Sequence, residues 1–306
     1  MTILERLVLE FPNKPWNWNG LSWNPNISFN FILEHPELPW NWTQISRKPN
    51  ITSNDIILNL NKNWDWEWLS GNKNLTLDFI INLKQPWCWS TVSANPSITF
   101  DEILSHPELP WDWNYISRNP TLPIEYVLEH PEIQWDWVWI SRNPNLTFDI
   151  IFKNITKPWV WCQLSVNPNI TSKDVIFLKD NYSHELCYFW IGGNPSITCD
   201  DLLEYRQVFL NWSYISQNTN LTIEFILEHP DFPWDKGELV KNPAINLDDI
   251  LCHPEIPWDM YYIGSNPNIT YDYILTLDNS YYFYLSYNLF DKHPYLIKNK
   301  NKNKII

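Results

Sequence analysis

Glycine is scarce in this chain, with six in 306 residues. Loops that cradle phosphate draw on it heavily, and neither GxGxxG nor GxxxxGK[ST] occurs; HExxH and GxSxG are missing as well. Positive charge is also in short supply. Lys and Arg total 21 against 35 Asp and Glu, for a net charge of −14. A protein that grips nucleic acid or anionic lipid needs a basic footprint, so neither is expected as a partner. No window approaches 18 consecutive apolar residues, which argues against a membrane span. The opening "MTILERLVLEFPNKPW" carries acids and lacks a basic region followed by a long apolar run, so it does not read as a secretory signal. The five cysteines, Cys88, Cys162, Cys187, Cys199 and Cys252, are odd in number and form no CxxC pair. Reduced thiols in a cytoplasmic compartment are the expectation. Hydrophobic residues nevertheless make up 44% of the chain, enough for a folded core.

Proline (24) and tryptophan (21) are in excess, and a repeated phrase accounts for most of both. "HPELPWDWNYISRNPTL" at 106–122 returns as "HPELPWNWTQISRKPNI" at 35–51 and as "HPEIPWDMYYIGSNPNI" at 253–269. Anchored on the Ser after an aliphatic residue, the repeats fall at 22, 46, 70, 93, 117, 141, 165, 192, 216, 240, 264 and 286. Successive differences are 24, 24, 23, 24, 24, 24, 27, 24, 24, 24 and 22, with Gly192, Val240 and Gly264 replacing the Ser. This periodicity predicts a half-repeat cap over 1–14 and eleven repeats over 15–279, irregular near 181–193. A degenerate repeat follows over 280–297, and then a Lys/Asn-rich tail over 298–306.

Each repeat divides into two predicted helices. The first is written Pro-Trp-x-Trp-x-x-[Ile/Leu]-Ser, with Pro expected at the first helical position because its missing N–H costs nothing there. The second follows Asn-Pro-Asn-[Ile/Leu]-Thr and is opened by capping boxes such as Thr52 with Asp55, Thr99 with Glu102 and Thr171 with Asp174. His-Pro closes it, since the residue before proline avoids the α region. The aliphatic residues before the Ser and before the Thr, and an apolar pair in the second helix such as Ile103-Leu104, form the expected core columns. One 24-residue unit cannot close a core on so few side chains, but stacked neighbours can. The Asn before Pro, replaced only by Lys48, is expected to form a ladder between repeats. An all-α solenoid of about eleven two-helix repeats follows. A leucine-rich horseshoe is disfavoured because the alternating Leu-x-Leu that its strand needs is missing.

The spacing, the Asn-Pro turn and the apolar pair in a proline-terminated helix resemble the leucine-rich repeat variant family. That resemblance implies a right-handed superhelix used for binding. The phrase "NPNIT…ILEHPELPW" is also similar to Asn-Pro-Asn-Ile-Thr repeat proteins of giant DNA viruses of amoebae, and the tail "KNKNKNKII" suits such an AT-rich genome. A viral origin would place the chain in host cytoplasm or in the virion.

Chemistry finds little purchase in this pattern. The recurrent His35, His106, His130, His229 and His253 would stand roughly 8–10 Å apart on packed helices, too far to share a metal whose bonds are about 2 Å. They are expected to cap helix carbonyls instead. Glu37, Glu108, Glu132 and Glu255 read as a solvated acidic stripe. No catalytic residue, cofactor or metal site is expected. The second Trp of each doublet lies three before the core aliphatic and should point inward. The first lies four before a variable position and should share a half-exposed face with it, either as an anchor for a partner or as inter-repeat packing with only the indole edge wet. This face nominates Trp64 with Trp68, Trp111 with Tyr115 and Trp135 with Trp139, joined by Arg47, Arg118 and Arg142 just past the Ser, as a protein-binding surface. The expected function is a non-enzymatic scaffold for a protein partner; the alternative is a self-assembling structural component of a viral particle or assembly.

Overall fold

A computed structural model describes residues 1–181, 191–204 and 211–269, together with Tyr273 and Thr276. Twenty α-helices and one 3₁₀ helix make up the secondary structure of the described residues, with no strand among them. None is long and apolar enough to cross a membrane. The fold is an all-α solenoid built from repeating pairs of short helices.

Contacts divide the chain into two units, residues 51–214 and residues 1–50 with 215–306. In the first, second-type helices such as Ser53–Leu58, Leu77–Asn82, Phe100–Ser105, Ile124–Glu129 and Phe148–Lys153 alternate with first-type helices such as Trp66–Ser70, Trp89–Ser93, Trp113–Ile116 and Trp137–Ile140. The wide spacing after Ser165 begins as a lengthened helix, Ser172–Asn181, with ten residues where its counterparts have six. Of the irregular stretch expected near 181–193, residues 182–190 lie outside the described residues. In the other unit the same alternation runs through Ile3–Glu10, Trp18–Trp23, Phe29–Glu34 and Trp42–Ser46. It continues through Ile223–Glu228, Lys236–Lys241, Leu247–Cys252 and the 3₁₀ helix Met260–Ser265. The repeat expected at 280–297 and the tail at 298–306 also lie outside the described residues.

Capping explains the second helices. The boxes at Thr52/Asp55 and Thr99/Glu102 are formed, as are unexpected ones at Thr2/Glu5 and Asn246/Asp249. Thr171 and Asp174 make the same reciprocal bonds, at 2.8 and 3.4 Å. The first helices start later than the sequence suggests. Their N-cap is the residue after the first tryptophan, Asn17, Asn41, Asp65, Asp112, Asp136, Asp235 or Asp259, whose side chain accepts a backbone N–H of the first turn. Proline therefore stands ahead of the cap in an extended segment, not at the first helical position.

Two core columns are as expected: Ile45, Leu69, Val92, Ile116 and Ile140 before the Ser, and Ile51, Leu75, Ile98, Leu122 and Leu146 before the Thr, are fully buried. The apolar pair behaves differently from the expectation. Its first member is buried (Ile56, Ile80, Ile103, Ile151), whereas its second is exposed (Ile57, Ile81, Leu104, Phe152). Adjacent helical residues point about 100° apart, so a helix with a single buried stripe holds only one of them.

The ladder forms through the Asn side chains. Asn119 Nδ2 donates to the carbonyls of Ser93, Asn95 and Ile98 in the preceding repeat, while its Oδ1 accepts the N–H of Thr121. Asn95, Asn167, Asn194 and Asn242 repeat the pattern. Lys48, the exception, is fully buried and donates from Nζ to the carbonyl of Asn24, one repeat back.

The anchoring Ser supplies a second tie, which sequence inspection missed. Ser117 Oγ donates to Trp113 O in its own helix and accepts the N–H of Asp136 at 2.9 Å from the next repeat. Ser22, Ser70, Ser93, Ser141 and Ser216 accept in the same way from Asn41, Cys88, Asp112, Val160 and Asp235. Ser117→Ala strands the Asp136 N–H and should lower unfolding free energy by about 1–3 kcal/mol. Urea titration checks this, and an unchanged midpoint would refute the relay.

Candidate protein-binding face

The first tryptophan follows the inter-repeat-packing alternative, and the second, expected in the core, is the less buried of the two. Trp64 (7% exposed) and Trp135 (8%) are buried, as are Trp16, Trp87, Trp159 and Trp234, all first members of their doublets. The second members Trp18, Trp42, Trp66, Trp89, Trp113, Trp137 and Trp161 are half-buried. The expectation treated both as helical, but only the second is: the first precedes the N-cap, where the three-or-four rule does not apply.

The first Trp has its own polar anchor. Its indole N–H donates to a carbonyl where the preceding second helix ends, at 2.8–2.9 Å. The acceptors are Phe11, His35, Asn59, Leu83, His106, His130, Asn154, His229 and His253. A buried indole with its one donor satisfied is stable in a core. The ring then meets the second Trp of the preceding repeat edge to face. Trp18–Trp40, Trp66–Trp87, Trp89–Trp111, Trp113–Trp135 and Trp137–Trp159 have centroids 5.0–5.7 Å apart and planes crossing at 82–89°. The doublet is thus an inter-repeat clasp, each phrase reaching back to the one before.

Two nominated pairs therefore lose a member. Trp64 and Trp135 are core, and Trp111 is half-buried with its N–H bound to His106 O. What remains at the surface is the variable position of the first helix and the arginine past the Ser. Trp68 is 43% exposed. Tyr115 and Trp139 are half-buried, and Arg47, Arg118 and Arg142 are exposed. Arg118 lies over Tyr115 at 4.4 Å and over Trp139 of the next repeat at 4.9 Å, with Arg142 over the same indole at 5.3 Å. Trp139 is flanked by two guanidinium groups, a geometry favoured by the negative face of the ring. A guanidinium nitrogen of Arg47 stands 3.5 Å from Gln44 Oε1.

The histidines take a different role from the expected carbonyl caps. His35, His130 and His253 pair through Nδ1 with Glu37, Glu132 and Glu255 at 3.1, 2.9 and 2.8 Å. Through Nδ1, His106 meets a helix carbonyl, that of Glu102 at 3.0 Å. Bonds from their own backbone N–H and from the imidazole hold the carboxyls of Glu37 and Glu132 below the ordinary value; for Glu255 the imidazole is the larger cause. Among the described residues no three His, Cys, Asp or Glu side chains converge as metal ligands would. Cys88, Cys162, Cys199 and Cys252 are free thiols. The chain matches no known family model, no curated protein and no solved structure.

Proposed function

We propose that the chain is a non-enzymatic repeat scaffold that holds a protein partner on the face of its first helices. The observation that carries this reading is the Tyr115–Arg118–Trp139–Arg142 stack, in which wide aromatic faces and guanidinium groups meet at the surface of two successive repeats. Arg and Trp are the residue types in which interface hot spots are richest. Core, clasp and ladder use other positions of the repeat, so this column is free to vary, and it does: Trp68, Thr91, Tyr115, Trp139 and Gln163 occupy it in turn. Trp68 extends the same column toward the N-terminus.

The test is capture of a partner from lysate by the full chain and by the Arg118→Ala/Trp139→Ala variant, with melting temperature read in parallel. Loss of capture by a variant that still folds supports the proposal; undiminished capture overturns the site. Concentration-dependent oligomers that this variant disperses would make the chain a self-assembling structural component instead.

A further inference from the structure

The second helices carry a surface of their own. Ile57 (48% exposed), Ile81 (38%), Leu104 (46%) and Phe152 (43%) each stand fifth in their helix, one residue past the buried aliphatic. Leu128 holds the same place, half-buried. Three residues earlier on the same helices stand Asp78, Asp101, Glu125 and Asp149, all exposed. Residues three apart share a helix face, so an apolar stripe runs beside an acidic one across four successive repeats. The acidic stripe has ends. Asn54 takes the equivalent position before it and Lys173 the one after. Lys153, one turn on in the same helix, stands 3.8 Å from Asp149.

We propose that this double stripe docks a basic amphipathic helix of a partner protein. The partner's apolar residues would meet Ile81, Leu104, Leu128 and Phe152, and its lysines or arginines would meet Asp78, Asp101, Glu125 and Asp149 on the same four helices. Charge selects this occupant. A second copy of a chain with net charge −14 would set carboxylates against carboxylates, and anionic lipid or nucleic acid would be repelled likewise. Spacing agrees. Packed helices stand about 8–10 Å apart, and a helix rising 1.5 Å per residue covers that in about five to seven residues. Positions seven apart lie on one face, so a helix of about 22 residues presents one apolar anchor to each of four repeats. The surface belongs to the second helices and does not depend on the arginine–aromatic column; either can fail without the other.

Fluorescence anisotropy of the full chain with a labelled synthetic helix of about 22 residues, leucine on one face and lysine flanking it, decides the matter. Asp101→Asn/Glu125→Gln and, separately, Leu104→Ser should each weaken binding about tenfold or more without moving the melting temperature, because the three side chains are exposed. Glu34→Gln/Glu67→Gln removes the same charge elsewhere and should leave affinity within about twofold. Equal losses in both double variants would mean attraction to bulk charge alone and overturn the proposal. So would affinity unchanged by Leu104→Ser, equal binding of a peptide with glutamate in place of lysine, or a dimer of the chain that Leu104→Ser dissociates.

Discussion

Trp135→Ala should lower the unfolding free energy by about 3–5 kcal/mol, the cost of emptying a buried aromatic site. Two further losses act at the same position. The carbonyl of His130 forfeits the indole N–H, and Trp113 forfeits the edge-to-face partner at 5.7 Å. The two helices meeting there have six and four residues, too short to close the gap without moving the backbone. Trp68→Ala removes an indole that already stands 43% in water and should cost no more than about 1 kcal/mol. The contrast between the two variants is the diagnostic, since the sequence alone assigns both to one face. Guanidinium titrations of both, compared at equal slope, measure it. Equal midpoints would refute the clasp.

Lys48→Asn should stabilise the chain, and by an amount that depends on pH. Burial pushes the Lys48 ammonium down to about 7, and the charge of Glu5 opposes that shift only in part. Glu5 itself is buried, with its carboxylate accepting the N–H groups of Thr2 and Ser28 at 2.6 and 2.7 Å. Between about 7 and the ordinary 10.5 the unfolded chain holds a proton on Lys48 that the folded chain does not. Stability therefore rises with pH across that window, and the penalty is largest at and below its lower edge. The interval of about 3.5 units, at about 1.4 kcal/mol each, bounds the penalty near ~5 kcal/mol. Asn is the residue of this column in the other repeats and donates to carbonyls without a charge. The variant should gain about 2–5 kcal/mol at pH 7, with the advantage shrinking as pH approaches 10.5. Thermal unfolding of both chains from pH 6 to 10 tests the sign. A gain that grows with pH would refute it.

Much of this architecture is legible without coordinates, for local reasons. A period of 24 residues, aliphatic columns before the Ser and the Thr, capping boxes and a proline stop each reflect a rule that acts within a few residues. The Asn ladder is readable too, because a side chain that suits a turn, repeated once per unit, has a counterpart within reach in the next.

Other features were decided only when the repeats stacked. Whether Trp64 is helical turns on one position: with Asp65 as the N-cap, the helix begins at Trp66 and the indole of Trp64 reaches back to Asn59 O. The helix begins three residues after the proline, at the second tryptophan, so the first tryptophan leaves the helical face, and with it goes half of the expected binding face. Which of Ile103 and Leu104 is buried, which N–H Ser117 receives, and that Lys48 lies in the core beside Asn24 depend on residues 19 to 26 positions away. Helical periodicity describes how a segment repeats along itself. It does not say which side the neighbouring repeat covers, and burial is set by that neighbour.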